Sequence, residues 1–184
     1  EVDAFPYVDN PILYHAVERS VKEDATTIFL TATSTDELDK RVQKGELKRL
    51  SLPRRFHGNP LTIPQKVWLS DFQKHLQKKK IAPKLLNYIE KQRETQFPLL
   101  IFAAEIQRGE DFAHALQIAL PDEKLAFVAS TTESRLEIVE QFRRKEITIL
   151  VTTTILERGV TFPGVDVFVL EANHRLFSRS ALVQ

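Results

Sequence analysis

PLLIFAAEIQRGEDFAHALQIALPDEKLAFVASTTESRLEIVEQFRRKEITILVTTT, residues 98–154, decides the fold. It holds three short apolar runs, around LLIF, LAFV and ITILV, each too short for a helix and too continuous for a strand with one wet face. Such runs suit strands buried on both faces of a parallel sheet. Between them lie GEDFAHALQIAL and TESRLEIVEQFRRK, of helical length and with apolar residues recurring at helical spacing. Strand, helix, strand, helix, strand is the pattern of a doubly wound parallel α/β sheet.

The alternation extends outward. VDVFVLEA (165–172) supplies a further strand, while APKLLNYIEKQRE (82–94) reads as a helix and KVWLSDF (66–72) as a strand. Upstream, PRRFHGNPLTIP (53–64) breaks the rhythm with three prolines and a glycine, which hold extended backbone and stop a helix or central strand. It is expected to link two domains. Before it, Asn10 and Pro11 open a helix with Leu13, Val17 and Val21 on one face. TTIFLTAT (26–33) reads as a buried strand with a hydroxyl tip. Ser34 with Glu37 makes a capping-box pattern for a helix ending at Gly45, and LKRLSL (47–52) looks like another strand. The expected organisation is part of one α/β lobe over 1–52, a linker over 53–64, and most of a second lobe over 65–184.

Composition sets limits on function. An apolar share of 42% beside 28% charged belongs to an ordinary globular protein with a packed core. The net charge of +1 means that a nucleic acid would need a local basic surface. The chain has no cysteine, which excludes disulfides and cysteine-held metals within it and fits a reducing compartment. No apolar run approaches the roughly 18 residues that span a bilayer. The carboxylates lie far apart along the chain and suggest no metal cluster.

In open parallel sheets ligands bind beyond the carboxyl ends of the strands. Three expected strands end in small hydroxyl residues: Thr31-Ala32-Thr33, Ala129-Ser130-Thr131 and Thr152-Thr153-Thr154. Such residues can hydrogen-bond phosphate oxygens without crowding them; each is equally a helix-capping residue type. KHLQKKKIAPK (74–84) reads first as a solvated basic face and second as an electrostatic contact for a polyanion. Arg54, Arg55 and His57 stand in the linker under the same two readings. Trp68 and Phe72 are expected in core or edge packing first and as base-stacking platforms second, and His15 and His114 fit helical patterns without a ligand role.

TTTILERGVTFPGVDVFVLEA (152–172) is the most specific segment. It resembles motif V of superfamily 2 helicases, which runs through paired threonines, Arg-Gly, an apolar residue and a proline. The resemblance implies that Thr152 and Thr153, with Ser130 and Thr131, contact a nucleic-acid backbone, and that Arg158, Gly159 and Thr161 line a nucleotide cleft. Many DEAD-box relatives carry an aspartate where Thr161 stands, so a ribose contact there is in doubt. Glu1-Val2-Asp3 resembles the end of the DExD box, and Thr31, Ala32 and Thr33 resemble motif III. EVDAFP, the LTAT strand and LPRRFHGNPL together are similar to the ComFA family of DEAD-like motors of bacterial DNA uptake.

That resemblance implies RecA-like lobes and ATP-driven translocation or unwinding of single-stranded DNA in natural transformation. Glu1 would orient or deprotonate the attacking water, and Asp3 would connect the metal site to motif III. ATP and Mg2+ are the implied cofactors, with zinc in a region preceding Glu1, as are the first Mg2+ ligand and the P-loop. Residues 180–184 resemble the approach to motif VI, whose arginine finger would follow. The chain, which has no Met, is thus expected to be a piece that alone hydrolyses little or no ATP. ComFC and a membrane DNA-uptake channel are the implied protein partners, and the cytoplasm, where the protein could sit at the inner face of the membrane, is the implied location. Two rival readings stay open: a catalytically silent nucleic-acid-binding module, and an RNA-remodelling ATPase of the DEAD-box type.

Overall fold

The computed structural model describes residues 10–31, 34–52, 63–153, 162–177 and 182. The chain divides into two compact units, with the boundary in sequence between Gln65 and Lys66.

In the first unit, α1 (Pro11–Ser20) starts as its sequence dictates: the Asn10 side chain accepts from the Leu13 N–H at 3.1 Å and Pro11 occupies the first turn. Helix α2 (Asp36–Gln43) is capped one residue later than expected. Thr35 Oγ1 accepts from the Leu38 N–H, while the Ser34 hydroxyl is turned to Asp39 and Arg49. Gly45, at φ 78°, ends the helix as read, with its N–H on Val42 O and the Glu46 N–H on Arg41 O. These two bonds satisfy carbonyls that the last turn leaves open, and the left-handed backbone they require suits glycine.

Two expected strands of this unit are not strands. Among the described residues, neither 26–31 nor 47–52 forms a strand. A strand is stabilised by neighbours across its edges and over its faces, not by its own sequence. Here Ile28, Leu30, Leu50 and Leu52 are largely exposed.

The second unit holds the sheet. Its elements are α3 (Phe72–Gln77), α4 (Pro83–Glu94), β1 (Leu99–Phe102), α5 (Ile106–Ala119), β2 (Leu125–Val128), α6 (Arg135–Arg143), β3 (Ile149–Thr152) and β4 (Asp166–Val169). All strand pairs are parallel, in the order β2-β3-β1-β4. The parallel α/β fold is the one the alternation predicts. Segment 66–72 is the exception: it forms no strand, bends at Ser70 and Asp71, and Phe72 opens α3. Asp71, at φ 57°, turns the chain there.

Side chains alternate across a strand, so each strand feeds two cores. Leu99, Ile101, Ile149 and Val151 point to one face and pack with Leu85 and Ile89 of α4 and Phe112, Ala115 and Leu116 of α5. Leu100 and Leu150 point to the other and pack with Val128 and with Val139 and Phe142 of α6. Helices on both faces explain why the runs are continuously apolar. Gly109 lets α5 approach the sheet closely, since a Cβ there would lie 2.6 Å from the Phe127 ring. Phe72 sits against this core with its ring centroid 6.3 Å from that of Phe112.

At the amino end of the sheet, Arg93 and Thr148 both donate to the Glu123 carboxylate, at 2.9 and 2.6 Å. Burial alone would raise that carboxyl group, but the two hydrogen bonds and the guanidinium charge hold it below its ordinary value. The nearly buried Gln92 donates to Phe97 O and Asp166 Oδ2, both at 3.0 Å, and so ties α4 to the start of β4.

Candidate nucleic-acid interface

The register places Phe102, Val128, Thr152 and Val169 on one rung at the carboxyl end of the four strands. The next layer is Ala103, Ala129, Thr153 and Leu170, all buried. Backbone bonds close it: the Ala103 N–H donates to Thr152 O at 2.8 Å and the Leu170 N–H to Phe102 O at 2.9 Å. After β2, polar surface begins one residue further on.

Ser130 and Thr131 are that surface after β2, and both are exposed. Thr132 holds them there. Its Oγ1 accepts from the Ala129 N–H at 3.0 Å and its own N–H donates to Ala129 O at 3.1 Å. The reciprocal pair closes a tight turn whose tip is Ser130-Thr131, an arrangement in which a side chain mimics a backbone turn. The sequence points to the tip and not to Thr132, for which the doubled threonine at 131–132 is the one available signal.

Thr152 corrects an expectation. Its side chain is fully buried, and its hydroxyl donates to Thr153 O at 3.2 Å. Pleat alternation puts it on the same face as Leu150, so it faces packed side chains of that layer and not an open crevice. Thr153 is 8% exposed. Of the four residues expected to touch a nucleic-acid backbone, Ser130 and Thr131 are presented and Thr152 and Thr153 are enclosed.

The ends of β1 and β4 carry a cluster that the sequence did not announce. Arg108, in the first turn of α5, donates to Glu171 at 2.7 Å and reaches Glu105 at 3.3 Å. His174 lies 3.5 Å from the other Glu105 oxygen, and Gln73 donates to Glu171 at 3.2 Å. Hydrogen bonding to Glu171 raises the Arg108 guanidinium further above its already high ordinary value. The cluster fixes the loop after β4 to the helix after β1. Its chemistry is structural: each carboxylate faces a cation or an amide.

Other expected site residues fall elsewhere. Thr31 is half-buried in the first unit. Glu1, Asp3, Ala32, Thr33, Arg158, Gly159 and Thr161 lie outside the described residues, as do Arg54, Arg55 and His57 of the linker segment. Among the described residues no group of His, Asp or Glu is arranged to hold a metal ion, and no helix is long and apolar enough to cross a membrane. Trp68 corrects a second expectation, because it is exposed and belongs to no core.

Comparison with known proteins agrees with this geometry. The chain is 68% identical over its whole length to the competence protein ComFA of Streptococcus pneumoniae, covering 43% of that protein. It is 37% identical over its whole length to ComFA of Bacillus subtilis, covering 39%. It thus spans about two-fifths of the length of these curated relatives. Among solved structures, Saccharomyces cerevisiae Dbp5 bound to RNA and ADP BeF3 superposes with a TM-score of 0.55 at 18% identity, over 99% of this chain and 45% of that one. That likeness concerns the fold, a RecA-like helicase domain. Residues 77–184, which hold the sheet and both enclosed and exposed threonines, match the helicase conserved C-terminal domain, and the chain belongs to that family.

Proposed function

We propose that residues 65–184 serve as the second motor lobe of an ATP-driven translocase or helicase that acts on single-stranded DNA during bacterial DNA uptake, with 1–52 belonging to the first lobe and 53–64 joining them. The observation that carries this reading is the Ser130-Thr131 tip, exposed at the carboxyl end of an all-parallel sheet and locked by Thr132. Two small hydroxyls and the amides of a tight turn can donate to phosphate oxygens without reading bases, as a motor that tracks a backbone requires. Thr152 and Thr153, enclosed beside the tip, hold the end of β3 in place. The family match and the competence relatives support the motor class and its setting.

ATP, bound with Mg2+, would supply free energy through hydrolysis. In this reading Arg158, Gly159 and Thr161 meet the nucleotide, Glu1 positions the attacking water, and Asp3 acts with Thr31, Ala32 and Thr33 to pass the nucleotide state onward. A change of grip at the Ser130-Thr131 tip would turn each hydrolysis cycle into a step along the strand. Zinc has no support in this chain, which contains no cysteine. ComFC and a membrane channel would be partners of the full-length protein.

Single-stranded DNA should stimulate ATP hydrolysis by the full-length gene product. Replacing Glu1 by Gln should abolish the turnover and leave ATP binding intact. A Glu1→Gln protein that turns over ATP as fast as its parent would defeat the assignment of Glu1. Absence of any stimulation by DNA or RNA would defeat the motor reading.

A further inference from the structure

Exposure alternates along residues 66–70, with Lys66, Trp68 and Ser70 exposed. Val67 and Leu69 are half-buried, and Leu69 packs on the core beside α3 and α4. Trp68, between them, points outward and is 74% exposed. Burying an indole is among the larger gains a side chain can offer a fold, and here the fold does without it. Core packing therefore does not account for the residue.

Its neighbours have a consistent chemistry. The Lys66 ammonium lies 4.4 Å from the centre of the indole ring, over its face. The Lys84 ammonium donates to the Trp68 carbonyl at 3.0 Å, which pins the backbone that carries the ring. Lys84 sits in the first turn of α4, where the helix dipole disfavours a cation, so helix stability does not explain it. The turn before α4 adds exposed Lys78, Lys79 and Lys80. Among the described residues neither Lys66 nor Lys84 is paired with a carboxylate. An apolar protein-docking patch would surround the ring with aliphatic side chains; this ring carries one ammonium group over its face, with a second on its own backbone carbonyl.

We propose that Trp68, flanked by Lys66 and Lys84, is a stacking platform for a base of single-stranded nucleic acid, with the two lysines holding adjacent phosphates. The platform is separate from the Ser130-Thr131 tip and rests on the reading that such a strand is the substrate. Stacking on an aromatic ring tolerates any base, and flanking cations supply affinity that falls with salt. A motor that must hold a strand of arbitrary sequence needs both.

Trp68 is the only tryptophan of the chain, so its fluorescence reports on this site alone. The 184-residue chain is titrated with oligothymidylate, oligouridylate and an abasic deoxyribose-phosphate strand, each about twenty nucleotides long, while binding is followed separately by anisotropy of a labelled strand. Oligothymidylate or oligouridylate should quench the tryptophan saturably, and the abasic strand should bind with little quenching. Trp68→Ala should weaken binding about fivefold to a hundredfold, the range for loss of one stacked base, with Trp68→Phe in between. Replacing both Lys66 and Lys84 by Ala should lower the slope of log affinity against log salt by about 1.4, roughly 0.7 per phosphate contact. A strand that binds while leaving fluorescence and the Trp68→Ala affinity unchanged overturns the platform, frees the face for a protein contact, and leaves the strand-end reading standing. Failure of every strand to bind counts against both.

Discussion

Arg108 and Glu171, separated by 63 positions in sequence, meet at 2.7 Å where the chain leaves β1 and β4. Glu171 reaches this position with φ 50°, in the left-handed region, so the loop after β4 is held in a conformation a glutamate does not favour by itself. The guanidinium spans two carboxylates, Glu171 through one nitrogen and Glu105 through another.

Arg108→Lys should consequently behave more like a loss than a conservative change, because a single ammonium cannot reproduce the fork. The pair is partly exposed, with side chains 31% and 18% accessible, which limits its worth. Arg108→Ala is expected to lower stability by about 1–2 kcal/mol, the scale of a hydrogen bond to a charged group discounted for solvent. Urea unfolding of the single and double variants with Glu171→Gln gives the coupling. Coupling indistinguishable from zero would mean that the bridge does not hold the loop.

Stability should also decline with acid through Glu123. Its folded carboxyl titrates below the ordinary value of 4.5, so the unfolded chain takes up the proton first as pH falls. The group's contribution is fully present above about that value and is lost as pH drops through the lower folded value. Glu123→Gln should flatten the stability profile below about pH 4.5, and Thr148→Val should flatten it in part. Urea midpoints across that range check the sign. An unchanged acid slope in Glu123→Gln would show that other carboxylates carry it.

How far the sequence revealed all this depends on where each signal resides. The strands of the second unit were legible because LLIF and ILVT are buried on both faces and LAFV is at least half-buried throughout, and such burial writes itself as an unbroken apolar run. Residues 26–31, with the short apolar run Ile28-Phe29-Leu30, and 47–52, where leucines alternate with polar residues, do not become strands, since ladder partners are not a local property. At α2, Ser34 and Thr35 are both good caps, and only the geometry chooses Thr35. Trp68 stands next to Leu69, and which of the two reaches the core is decided by the fold and not by residue type. The Arg108 to Glu171 bridge leaves no trace at any short spacing. For the strand tips, the residue types at 130, 131, 152 and 153 suggested hydroxyl donors, but type says nothing of depth: Ser130 and Thr131 pass beyond the buried layer while Thr152 ends within it.

This difference in depth separates two kinds of threonine experimentally. Ser130→Ala with Thr131→Ala removes exposed hydroxyls and should leave stability within about 0.5 kcal/mol, as for most surface changes. If the tip grips phosphates, the same pair should weaken binding of a single strand by roughly tenfold, from two lost hydrogen bonds of about 0.5–1.5 kcal/mol each. Thr152→Val keeps the shape of a fully buried side chain and deletes its hydroxyl, whose hydrogen bond to Thr153 O is then lost. Its effect should fall on stability, at about 1 kcal/mol, with binding by the folded fraction unchanged. Chemical denaturation and anisotropy of a labelled oligonucleotide measure the two quantities side by side. The reverse pattern, binding lost in Thr152→Val and retained in the Ser130 and Thr131 double variant, would place the phosphate contact on β3 and require its last rung to open before a strand can bind.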